Sequence, residues 1–84
     1  MHIGIADNCG KLSIICEVTK TRKDRIYFYV INGNWDGSIK DGILHVNCIK
    51  KKYPANIVWK GNIPNYALDA YSKAFEFVRK KLIK

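Results

Sequence analysis

Two dipeptides, Asn32-Gly33 and Asp41-Gly42, each stand between segments of alternating apolar and polar residues. Asn-Gly and Asp-Gly favour two-residue type I′ hairpin turns, in which both central residues take φ > 0. A two-residue loop fixes the register of the strands it joins, so facing residues can be read off directly. About Asn32-Gly33, Val30 faces Trp35, Phe28 faces Gly37 and Ile26 faces Ile39. About Asp41-Gly42, Ile39 faces Leu44, Gly37 faces Val46 and Trp35 faces Cys48. All are apolar or glycine, and all share one side of the pleat. A one-residue slip would scatter them over both sides.

The same parity carries outward along the chain. Strands are expected at about 2–6, 11–19, 25–31, 34–40 and 43–49, with 56–60 as a candidate sixth. Asp7-Asn8-Cys9-Gly10 reads as a turn and residues 20–24 as a polar loop. Ile5 then pairs with Leu12, and Val18, Cys16 and Ile14 lie beside Ile26, Phe28 and Val30. Pro54 is expected to end the pairing. From residue 65 the period changes: Leu68, Tyr71, Phe75, Val78 and Leu82 recur at three- and four-residue steps, which predicts a helix over 65–83. The expected fold is a single α+β domain over residues 1–84. It is a five- to six-stranded antiparallel meander with one C-terminal α-helix packed on its apolar face.

Composition narrows the function classes. The chain has 84 residues, 48% of them hydrophobic, which suits one small globular domain. No run approaches a transmembrane helix and no signal-peptide pattern opens the chain, so a cytoplasmic location is expected and no membrane partner. Cys9, Cys16 and Cys48 are odd in number with no CxxC spacing. Cys16 and Cys48 fall on the apolar face, as small buried hydrophobes. No metal or cofactor is expected. Fifteen basic residues against seven acidic give a net charge of +8, a field that favours polyanions or an acidic protein. Lys, Ile and Asn are abundant and Lys far outnumbers Arg, the bias of AT-rich coding in many phages and low-GC bacteria.

The face turned away from the helix carries the chemistry. One cross-strand row is expected to read Glu17, Tyr27, Ser38, His45, and the next Ile15, Tyr29, Asp36, Asn47. Tyr27 and Tyr29 would form a platform on which bases stack. Lys20, Arg22, Lys23 and Arg25 at one end, and Lys50, Lys51 and Lys52 at the other, would neutralise phosphates. Seven-residue strands separate these clusters by about 23 Å at ~3.3 Å per residue. His45 and Asn47 could hydrogen-bond bases or sugars. Glu17 and Asp36 would repel phosphates. Ile15, Ile31, Ile43 and Ile49 add an apolar patch suited to a second copy of the chain or a partner protein. Ser38 opposes His45, but Glu17 lies three strands away and cannot orient the imidazole, so no catalytic role is expected.

Trp59-Lys60-Gly61-Asn62-Ile63, followed by a helical segment with Ala70-Tyr71 and Ala74, resembles the end of the AP2/integrase-type DNA-binding domain. There a three-stranded sheet ends in such a segment ahead of an alanine-rich helix. The resemblance implies a sheet that reads nucleic acid, and no binding residue is carried over from it. The expectation is a small, basic, non-catalytic nucleic-acid-binding protein, with RNA or single strands ahead of duplex DNA. Its rival is a small inhibitor or adaptor, of the kind phages direct against a host nuclease or defence protein, working through the Tyr/Ile face.

Overall fold

The computed structural model describes residues 1–8, 12–68 and 78–79. Seven strands form one antiparallel sheet: β1 (His2–Ala6), β2 (Ser13–Arg22), β3 (Arg25–Val30), β4 (Trp35–Lys40), β5 (Ile43–Val46), β6 (Lys51–Pro54) and β7 (Asn56–Lys60). Their order is β6-β5-β4-β3-β2-β1-β7. The first six make a meander, and β7 pairs with β1 on the far border.

Only Ala55 separates β6 from β7, yet the two lie on opposite borders of the sheet. One residue advances the chain by at most ~3.6 Å. The borders must therefore meet at Ala55, and the sheet curls into a half-barrel. Ala55 is buried, and its N–H donates to the Gly42 carbonyl at 2.9 Å. Pro54 lies opposite Ile43 as the last residue of β6, a terminal position where a missing N–H is tolerated.

Curling gives the sheet its own second layer. Ile3, Ile5, Ile14, Cys16, Phe28, Val30, Trp35, Ile39, Leu44 and Val46 are all buried on the concave side and form one cluster. The α+β expectation is thereby corrected: the described residues are nearly all sheet. Their helical residues are the single turn α1 (Asn65–Leu68) together with Val78 and Arg79. Residues 69–77 and 80–84 of the expected helix lie outside the described residues. Ala67 and Val78 are buried, and Val78 joins the core cluster.

The central registers agree with those read from the sequence. Val30 pairs with Trp35, Phe28 with Gly37 and Ile26 with Ile39. Ile39 pairs with Leu44 and Gly37 with Val46. Asp41 and Gly42 take φ of 53° and 74°, the type I′ turn their types favour. A Cβ on Gly37 would lie 2.7 Å from the His45 carbonyl oxygen, so only glycine fits this crossing.

Asn32-Gly33 behaves differently. Neither residue takes positive φ, and residues 31–34 form a four-residue loop closed by Asn34 at φ 55°. The Asn32 side chain is committed elsewhere. It is buried, its Oδ1 accepts from the Ile15 N–H at 2.9 Å, and its Nδ2 donates to the Ser13 carbonyl at 3.1 Å. Residues 47–50 repeat this loop between Val46 and Lys51, with Lys50 at φ 52°. The fifth strand thus ends at Val46, and the lysine-rich segment expected as a loop returns as β6. Cys48 is exposed in that loop instead of facing Trp35.

Two outer registers shift by two residues, which preserves parity. Ile5 pairs with Ile14 in place of Leu12. Cys16 pairs with Val30 and Val18 with Phe28. A β-bulge at Thr19 then sets Lys20 opposite Tyr27. The expected loop at 20–24 is strand up to a two-residue turn at Lys23-Asp24, with φ of 49° and 68°. This polar end of β2 runs exposed beyond the core, so no apolar alternation marks it as strand.

Candidate nucleic-acid interface

The convex face carries the charge. Because of the Thr19 bulge, one row crosses five strands as Lys20, Tyr27, Ser38, His45 and Lys52. Four inter-strand steps at ~4.8 Å make it about 19 Å long. Beside it, nearer the hairpin tips, Arg22 pairs with Arg25, and Lys40 pairs with Ile43. Five basic side chains, Lys20, Arg22, Arg25, Lys40 and Lys52, therefore share one half of the face. Glu17, expected in the Tyr27 row, lies in the neighbouring row with Tyr29 and Asp36. There its carboxylate meets the N-terminal ammonium at 3.4 Å and His2 Nε2 at 3.7 Å.

Local contacts order the cationic half. Lys20 Nζ stands 4.8 Å from the centre of the Tyr27 ring, a cation–π contact. Arg25 Nη1 donates to Ser38 Oγ at 3.3 Å. Ser38 is buried although it points to the convex side, so it anchors the guanidinium from beneath. Lys52 lies directly across from His45. Burial first, then Arg25, then Lys52 hold the His45 imidazole below its ordinary pKa of 6.5. Arg25, Lys40, Asp41, His45, Lys52 and Tyr53 line an open groove of about 460 Å³ between the hairpin tips. Tyr53 packs against the core, and burial raises its phenol above the usual range.

Of the residues singled out from the sequence, Lys20, Arg22, Arg25, Tyr27, His45 and Lys52 come together on this face. Lys23 stands at the tip of the β2–β3 hairpin. Tyr29 sits apart in the acidic row, its hydroxyl donating to Asn34 Oδ1 at 2.8 Å. The two tyrosines therefore face different electrostatic surroundings. Asn47, Lys50 and Lys51 cluster around the 47–50 loop at the opposite end of β5. Sequence reasoning placed Ser38 opposite His45 without a binding role, and it missed Lys40. The Asp41-Gly42 turn already implied their outward parity, since Lys40 and Ser38 alternate with buried Ile39.

The expected apolar patch is smaller than its sequence count. Ile15 is 4% exposed and Ile49 packs against the core, which leaves Ile31 and Ile43 open. Among the described residues, no group of three or more His, Cys, Asp and Glu side chains could hold a metal ion, and no helix is long and apolar enough to cross a membrane. Cys9 lies outside the described residues. Comparison with protein-family models, curated proteins and solved structures returns no match, so the site stands on its own geometry.

Proposed function

We propose that this protein binds nucleic acid without catalysing its chemistry, that it takes single strands or RNA ahead of duplex DNA, and that it works in the cytoplasm. One observation carries the proposal: the two-residue register shift takes Glu17 out of the Tyr27 row, and the Thr19 bulge brings Lys20 into it. Tyr27 is then the one phenol ring in a row bounded by lysines at both ends. A base stacked on Tyr27 must displace the Lys20 ammonium. An exposed cation–π contact is worth about 0.5–1 kcal/mol, whereas base–aromatic stacking is worth about 1–3 kcal/mol. Stacking wins, and the released lysine is free to meet a phosphate.

Fluorescence anisotropy with a labelled oligouridylate tests this. If about four phosphates are neutralised, log Kd should rise against log salt with a slope near 3, at about 0.7 per phosphate on a single strand. Lys52→Ala should lower that slope by about 0.7. Tyr27→Ala should weaken binding by about 1–3 kcal/mol, while Tyr29→Ala, in the acidic row, should change it by less than about 0.5 kcal/mol. No binding at ~50 mM salt, where the phosphate contribution is large, would overturn the proposal. Tighter binding to a duplex of equal length would overturn its preference for single strands.

A further inference from the structure

We propose that the groove between Arg25, Lys40, His45 and Lys52 is a phosphate-binding subsite that takes up one proton, at His45, as the phosphate enters. The inference deepens the nucleic-acid reading and rests on the same face.

The groove is many times the ~30 Å³ that a water occupies, so it admits a hydrated phosphate. Its walls come from four successive strands. Arg25 is on β3, Lys40 on β4, His45 on β5, and Lys52 and Tyr53 on β6, with Asp41 at the turn between β4 and β5. Arg25 is already held by Ser38, so one planar donor is oriented before any ligand arrives. His45 is the group between that arginine and Lys52. Lys20 faces the same row from β2 across Tyr27.

The proton follows from the charges. In the free protein, burial and two neighbouring cations disfavour the imidazolium. A phosphate placed among those cations offsets their repulsion and attracts a third positive charge. The bound state therefore keeps the proton to a higher pH than the free state does. Affinity must then rise as pH falls through the bound-state pKa and level off below the free-state one. Asp41 is the acidic residue in the groove. Tyr53, raised by burial, stays neutral across this window.

The test uses two probes with the whole protein. The first is an oligouridylate without terminal phosphates, whose diesters do not titrate between pH 5.5 and 7.5. Its affinity should be about three- to tenfold higher at pH 5.5 than at 7.5, tenfold being the ceiling for a one-unit rise in the His45 pKa. His45→Gln should flatten that profile, whereas His2→Gln, a change beside Glu17, should preserve it. The second probe is inorganic phosphate, with the His45 ring protons followed by NMR. Their titration midpoint should move to higher pH when phosphate is added. An oligouridylate that binds equally well at both pH values overturns the inference and leaves the nucleic-acid reading intact. A raised His45 midpoint in phosphate, with no oligouridylate binding at any pH, supports a subsite for free phosphate and ends the nucleic-acid reading. A midpoint that neither probe moves overturns the inference.

Discussion

Replacing Asn32 tests what holds the functional rows in phase. By ladder position Asn32 would face Ile14, yet its side chain does the pairing: it accepts from the Ile15 N–H and donates to the Ser13 carbonyl. This contact ties the β3–β4 loop to β2 and holds the two-residue shift that, with the bulge, puts Lys20 beside Tyr27. Asn32→Ala leaves two backbone groups without that partner, in a site that is 4% exposed. At about 1–3 kcal/mol for an unsatisfied buried group, and about 1 for the part-buried Ser13 carbonyl, the loss should be roughly 2–4 kcal/mol. In a domain of this size that lowers Tm by about 10–25 °C. Asn32→Asp separates the two bonds. An ionised aspartate can still accept from Ile15 but turns an oxygen toward the Ser13 carbonyl. Protonation restores a donor, so the folded-state pKa of this aspartate should lie above its unfolded value of ~3.9. The folded variant then binds its proton more tightly than the unfolded chain does. Relative to the parent protein, its stability should rise as pH falls through that folded pKa. Urea unfolding of parent, Asn32→Ala and Asn32→Asp at pH 7.5 and 4.5 measures both effects. An Asn32→Ala cost under ~0.5 kcal/mol, the scatter of ordinary surface changes, would refute the reasoning. So would an Asn32→Asp penalty that is the same at both pH values.

Two further outcomes follow from backbone geometry. Gly37→Ala places its methyl 2.7 Å from the His45 carbonyl oxygen, a backbone atom that cannot step aside, and should cost about 1–3 kcal/mol in urea unfolding. Lys23→Asn combined with Asp24→Gly suits the positive φ angles of that hairpin tip and should add about 0.5–1 kcal/mol, seen as a higher Tm.

The legible parts of the fold are those where local turn chemistry and burial agree. Asp41-Gly42 fixed the β4–β5 pairing, and with it the opposition of Ser38 and His45, because both residue types fit the turn and one face is apolar. The β3–β4 register was also legible, though for a partly different reason. Val30 opposes Trp35 on either loop length, so parity survived a four-residue loop. Lys23-Asp24 carries no hairpin signature, and the strands leading to it project past the core, so charge alone suggested a loop. Lys51-Lys52-Tyr53-Pro54 was hidden likewise, since border strands accept lysine and proline that interior strands exclude. The bulge at Thr19 left no mark in the sequence. That one extra residue decides whether Tyr27 has Thr19 or Lys20 as its neighbour, and the two-residue shift had already moved Glu17 away, which is why the candidate site was only half readable. The helical period after residue 65 was real as a pattern. What it could not show was that the sheet would supply its own inner layer.

The joint at Ala55 also bears on how the chain is made. β1 leaves the ribosome ahead of the other described strands, but its partner on one side is β7, and the pairing of Ile3 with Lys60 spans nearly the whole described sheet. Such distant pairing is slow to form. Until residues 56–60 emerge, the nascent meander carries two bare borders, each able to recruit another extended chain. Turning the corner at Ala55 later lays β7 along β1 and covers the border that β1 had left open.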